Sequence, residues 1–247
     1  MTQPETQPSQ GAEGSSAVAV IPARGGSKRI PRKNIRMMSG QPLIGWAIQA
    51  ALESQAFDQV VVSTDDPEIA AVAVDFGATV PFVRPVELSD DFTGTVPVIA
   101  HAIAELARQG HGFELVCCIY PAAIFVSPQD IAQSGRLLAE SGTARYVSTV
   151  ARYAVPIQEA MEIDEQGRIR VLHPEHLQMR TQDYPERWHD AGQLYWGRTE
   201  AWTELVPVFE SAVGYPLAAW RVQDIDSEED WKRAELIHEL ILAEAQP

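Results

Sequence analysis

A short apolar run, Val18 to Ile21, is cut off by Pro22 and followed at once by Arg24, Gly25, Gly26 and Ser27. That order predicts a fully buried strand running into a loop. The loop carries Arg24, Lys28, Arg29, Arg32, Lys33 and Arg36, about a third of the 19 basic residues in a chain of formal net charge −15. A basic, glycine-bearing loop on an acidic protein predicts a binding site for a small polyanion. Glycine permits positive φ and close backbone approach, while guanidinium and ammonium groups neutralise an oxyanion. The stretch lacks the second glycine of GxxxxGK[ST], which argues against a P-loop kinase or ATPase, and it lacks GxGxxG.

Strand and helix patterns then alternate. Pro42 suits the first turn of a helix over Leu43 to Ser54. Asp58 to Thr64 reads as a strand, and Asp66-Pro67-Glu68 as the cap, first position and first-turn acid of a helix that stops at Gly77. Thr79 to Val83 reads as a third strand, Thr95 to Arg108 as a helix, and Phe113 to Tyr120 as a fourth strand. Ser127 to Asp130 opens a further helix with a capping-box arrangement. This alternation predicts an α/β fold, a mostly parallel sheet with helices on both faces and a ligand at the carboxyl ends of its strands. From Arg145 to Arg187 the pattern changes to an antiparallel hairpin turning at Asp164 to Gly167. Ser227 to Ala245 reads as an amphipathic helix with an acidic first turn.

The length suits one large domain, residues 17–247. Residues 1–16, MTQPETQPSQGAEGSS, are polar, without an apolar core or a basic start, and read as a disordered tail rather than a signal peptide. No stretch approaches a membrane span, and the acidic balance argues against nucleic acid, which demands an extended basic face. Cys117 and Cys118 adjoin in an apolar run, which predicts buried, reduced thiols on opposite sides of a strand in a cytoplasmic protein. His173 and His176 have no further ligand at zinc spacing, and His101 reads as a packed helix residue.

Asp224-Ile225-Asp226 is the second chemical cluster. On a strand, alternate residues share a side, so both carboxylates would converge on one hard cation while Ile225 faces the core; magnesium (Mg2+) suits such a pair.

Several stretches, taken in order, resemble the motifs of the sialic-acid-type cytidylyltransferases. They are IPARGGSKRIPRKNI, STDD at Ser63 to Asp66, RPVELSDD at Arg84 to Asp91, CCIYP at Cys117 to Pro121, DAGQLYWG at Asp190 to Gly197 and VQDIDSEEDW at Val222 to Trp231. The last three look most like the pseudaminic acid branch, and the resemblance covers roughly residues 17 to 240. It implies a Rossmann-like nucleotidyltransferase sheet and a homodimer, with an insertion at about 151–187 reaching across to the second subunit. The implied reaction joins CTP to the anomeric hydroxyl of an acidic nine-carbon sugar and releases pyrophosphate. Ala23, Arg24, Gly25, Ser27, Lys33, Asn34 and Arg84 are the implied CTP contacts, and Arg24, Lys33 and Asp226 the catalytic groups. Asp224 and Asp226 are the implied magnesium ligands, and Tyr120, Gln193 and Tyr195 the sugar contacts. Open at this point are whether Gln193 and Tyr195 face ligand or core, and whether Asp226 itself takes the sugar's proton. Also open are sialic or legionaminic acid as the acceptor, and a non-catalytic nucleotide- or sugar-binding homologue. In one place the chain departs from the family: Pro121 is followed by Ala122, Ala123 and Ile124, where a small hydroxyl residue and a second proline are usual and where the sugar is expected.

Overall fold

The strand expected at the start of the chain forms at Ala17–Pro22 (β1) in the computed structural model, which describes residues 16–176 and 178–244. Residues 1–15 of the expected tail lie outside the described residues. After β1 come a two-stranded ribbon, β2 (Met37–Met38) with β3 (Gln41–Pro42), then α1 (Leu43–Glu53), β4 (Gln59–Ser63) and α2 (Pro67–Asp75). They are followed by α3 (Thr95–Arg108), β5 (Leu115–Ile119), α4 (Pro128–Glu140) and β6 (Tyr146–Arg152). A small hairpin, β7 (Met161–Ile163) with β8 (Ile169–Val171), precedes β9 (Trp188–Arg198), α5 (Thr199–Thr203), β10 (Ala212–Leu217) and α6 (Glu228–Glu244).

The main sheet has six strands in the order β10-β6-β9-β5-β1-β4. β1 runs parallel to β4 and β5, and β6 parallel to β10; β9 is antiparallel to both of its neighbours, β5 and β6. The fold is therefore α/β with a mostly parallel sheet. Along β1 the side chains alternate: Ala19 and Ile21 pack beneath α1, α2 and α4, while Val18 and Val20 pack beneath α3 and α5. Cys117 and Cys118 divide between the same two layers, both buried and free. No helix among the described residues is long and apolar enough to cross a membrane.

Local chemistry sets the element ends. Asp66 caps α2 by accepting the N–H groups of Glu68 and Ile69 at 2.8 and 3.1 Å, with Pro67 in the first turn. Ser127 and Asp130 close a capping box at α4.

Three segments depart from the expected pattern. Thr79 to Val83 makes only the isolated bridges Val61–Thr79 and Thr64–Val83; Pro81 has no N–H to give a ladder. Residues 146–152 join the main sheet as β6, so the hairpin is confined to β7 and β8, closed by the Asp164 carboxylate accepting N–H groups from Gln166 and Arg168 at 2.9 Å. Asp224 to Asp226 is not a strand: the Asp226 N–H turns into the Asp230 carboxylate at 3.2 Å, at the start of α6.

The reversal of β9 matters for the site. Its first residues lie at the sheet end where β5 and β6 finish, beside the loop that follows β1.

Candidate active site

A cleft of about 1000 Å³ opens at that end of the sheet. One wall is the basic loop, through Arg24, Ser27, Lys28, Arg29, Lys33 and Asn34. The loop is shaped from within. Asn34 Nδ2 donates to the Arg24 carbonyl at 2.9 Å, and Arg32, at φ 57°, opens a single 3-10 turn over Lys33–Ile35. Gly25 and Gly26 do not use the positive φ that glycine permits. Gly25 is required by a close approach instead: a Cβ there would stand 2.5 Å from Asp66 Oδ2, and its N–H donates to Asp65 Oδ1 at 3.1 Å. Ala23 is buried and gives its N–H to the Ser63 carbonyl. Neither Ala23 nor Gly25 lines the cleft.

The cations of this loop are matched by carboxylates. Arg24 pairs with Asp91 at 2.7 Å, and its Nη1 also donates to the Asp90 carbonyl at 2.5 Å. Lys28 reaches the same Asp91, Arg32 holds Asp66 and Glu68, and Arg29 pairs with Asp226 at 2.7 Å. Arg36 grips Glu228 with bonds of 2.6 and 3.0 Å and lies 4.3 Å over the Trp231 ring. Lys33 is different: its Nζ donates to the carbonyl of Ile225, and burial lowers its pKa against the pull of Asp224 and Asp226. Arg84, only 4% exposed, gives its Nε to Ser89 Oγ at 3.1 Å. Its Nη2, 3.6 Å from Asp65, has no hydrogen-bond partner among the described residues. A buried guanidinium with an unsatisfied N–H on a cleft wall has a donor to spare for an oxyanion. Asp90 and Asp91 belong to the RPVELSDD stretch, yet as cation partners they were not singled out by sequence, because the pairing spans more than sixty residues.

The facing wall carries Gln223, Asp224, Ile225 and Asp226. Burial raises the Asp224 pKa, and the neighbouring Asp226 charge raises it further. Asp230 steadies this wall, its Oδ2 accepting from Ser227 N–H at 2.9 Å and Ser227 Oγ at 2.7 Å as well as from Asp226. Among the described residues no group of three or more His, Cys, Asp or Glu is placed to share a metal ion. Asp224 and Asp226 stand as a pair. Both walls rest on one buried apolar cluster that includes Ile30, Leu43, Ile124, Phe125, Ile225 and Trp231. Of the unusual Ala122-Ala123-Ile124, only Ala122 lines the cleft; the other two are buried.

The third wall comes from the end of β5 and the start of β9. Tyr120 shares a 2.5 Å hydrogen bond with Thr95 Oγ1, and its ring meets Tyr195 edge-on at 5.7 Å. Tyr195 donates its hydroxyl to the Asp190 carboxylate, and burial raises both tyrosine pKa values. Gln193 is 2% exposed and lies behind the wall, its Nε2 on the Ala191 carbonyl at 3.1 Å and its Oε1 without a partner among the described residues.

A mostly parallel α/β sheet whose first strand feeds a basic loop, facing paired carboxylates over one cleft, is the framework of a nucleotide-handling transferase. The chain belongs to the cytidylyltransferase family, whose profile matches residues 18–239. It is 37% identical over 225 residues to a pseudaminic acid cytidylyltransferase of Campylobacter jejuni, with 90% of this chain and 96% of that one covered. To a CMP-N,N'-diacetyllegionaminic acid synthase of Legionella pneumophila it is 35% identical over 152 residues, covering 62% and 65% of the two chains. In fold it resembles a CMP:2-keto-3-deoxy-manno-octonic acid synthetase solved with CTP, at TM-score 0.68 and 16% identity, over 93% of this chain and 100% of that one.

Proposed function

We propose that this cytidylyltransferase joins CTP to the anomeric hydroxyl of pseudaminic acid, giving the CMP-sugar and pyrophosphate. The observation that carries the reading is the basic loop and the Asp224–Asp226 pair facing one cleft, tied together where Lys33 Nζ meets the Ile225 carbonyl. In the transfer the sugar oxygen bonds to the α-phosphorus, the bond from that phosphorus to pyrophosphate breaks, and the hydroxyl proton passes to a base. Charge grows on the departing pyrophosphate, so fixed cations supply most of the help. Arg24, Lys33 and Arg84 bind and orient the triphosphate. Ser27 lines the same wall, and Asn34 keeps the Arg24 carbonyl in place. Binding exchanges partners: phosphate oxygens replace Asp91 on Arg24 and Lys28.

Magnesium fits the donor set of the other wall. Two neighbouring carboxylates, one of them carrying a pKa raised by burial and by its neighbour's charge, suit a hard cation that takes one or two carboxylates together with phosphate oxygens. Asp224 and Asp226 would hold it, and it would neutralise phosphate charge during transfer. Tyr120 and Tyr195 line the acceptor side, and the Campylobacter jejuni relative supports pseudaminic acid as the acceptor. Exposed Met161, Ile163 and Ile169 on the β7–β8 hairpin support pairing with a second copy, which light scattering on the purified chain would reveal as a dimer mass. Two free, buried thiols suit the reducing cytoplasm.

Pyrophosphate release tests the reading. CTP and magnesium are supplied with pseudaminic, sialic or legionaminic acid in turn, and ATP replaces CTP as a control. Release with CTP and pseudaminic acid, and little with ATP, is expected. Release with none of the sugars, while CTP still binds, would contradict it in favour of a binding homologue.

A further inference from the structure

Asp190 is a wall carboxylate with no lysine or arginine partner among the described residues, unlike Asp91 and Asp226. It is nonetheless held from both sides. The Gly192 N–H donates to Oδ1 at 3.0 Å, and the Tyr195 hydroxyl donates to Oδ2. The hold depends on a bulge. Tyr195 pairs with Ser148 and Asp190 with Val150, so five steps of β9 match two of β6, and Gly192 takes up the excess at φ 60°. Burial keeps the Tyr195 hydroxyl protonated and therefore a donor. A carboxylate offers about four acceptor positions, and two are filled here, which leaves acceptor capacity for the cleft.

Charge along the cleft then dictates what meets this acceptor. Arg24, Lys28, Arg29, Lys33 and Arg84 lie on the phosphate side, whereas the stretch formed by Tyr120 to Ala122, His189 to Gly192 and Tyr195 contributes no lysine or arginine. An acidic acceptor must turn its own carboxylate away from Asp190 and present a hydrogen-bond donor to it. The Legionella pneumophila relative is named for a diacetylated acceptor, and an acylamino group carries one N–H.

Resting on the acceptor reading above, we propose that Asp190, fixed by Gly192 and Tyr195, is a specificity-determining residue that accepts a hydrogen bond from an acylamino N–H of the sugar. It selects for that N–H and orients the sugar with its carboxylate toward the cations. The contact is between an anion and a neutral donor, so its loss is felt in binding of the sugar and not of CTP.

The test is steady-state kinetics on the full chain with CTP, magnesium and pseudaminic acid, beside analogues in which each N-acetyl group in turn is replaced by O-acetyl. Wild-type protein should discriminate against one analogue by roughly tenfold or more, and Asp190→Ala, which leaves no acceptor there, should raise the sugar KM by roughly 10- to 100-fold while the CTP KM stays within about twofold. The variant should also lose the discrimination. An unchanged sugar KM, equal use of all analogues by wild type, or a collapse of kcat at constant sugar KM would overturn the proposal. Equal use of all analogues by wild-type protein overturns the proposal even if the variant does not fold. Wild-type protein inert toward every sugar would sink the acceptor reading and this proposal together, whereas an active wild type with an indifferent variant sinks this proposal alone.

Discussion

Lys33 sits in the seam between the basic loop and the Asp224–Asp226 wall, bonded through Nζ to the Ile225 carbonyl. Desolvation outweighs the two nearby carboxylates and lowers its pKa from the ordinary 10.5. Only the charged form attracts a triphosphate, so the sign follows: as pH rises, this lysine loses its proton earlier than an exposed one would. CTP affinity should fall on the alkaline side ahead of the ordinary lysine range. Lys33→Arg, which stays charged, should move that fall to higher pH, while Lys33→Ala should weaken CTP by roughly 10- to 100-fold near neutrality. Calorimetric titrations of CTP across pH would show it. An alkaline limb that Lys33→Arg leaves in place would assign the titration to another group.

At the scale of elements, α6 enters the site through packing. Trp231 and Ala234 from this helix, with Ile225 just before it, bury against Ile30 of the basic loop and Ile124 after β5. The two charged walls therefore share one apolar footing, and a void in it disturbs both. Ile225→Ala should lower unfolding free energy by about 2–4 kcal/mol, a usual range for such truncations in a packed cluster. It should also reduce kcat more than the stability loss alone explains, because it frees the carbonyl that receives Lys33 Nζ. Urea unfolding followed by kinetics under native conditions separates the two effects. Normal kcat in a destabilised variant would mean that the cluster only packs.

Over the whole molecule, what could be read from sequence was what short-range chemistry decides. Apolar Val18 to Ile21, the Asp66 cap and the Ser127–Asp130 box all mark their elements without tertiary help. Long-range facts were not legible. The pairing of Arg24 with Asp91 and the cluster joining Ile30 to Ile225 bring together residues far apart in the chain. Thr79 to Val83 looked like a strand on apolar content, but a single proline outweighed it. Asp224 and Asp226 both line the cleft, but from a turn held by Asp230 and not from the strand that alternation predicts. Of the residues that the family resemblance singles out, Arg24, Ser27, Lys33, Asn34, Arg84, Tyr120, Tyr195, Asp224 and Asp226 line the cleft, whereas Ala23, Gly25 and Gln193 do not.

The joint action of the two walls is tested most directly by comparing Asp226→Asn with wild-type protein in CTP binding and in single-turnover formation of the CMP-sugar with magnesium. The basic loop remains in the variant, so CTP should bind within several-fold of wild type, while the chemical step slows by roughly 100-fold or more. Undiminished turnover in Asp226→Asn would contradict a site in which the carboxylate wall and the basic loop act together.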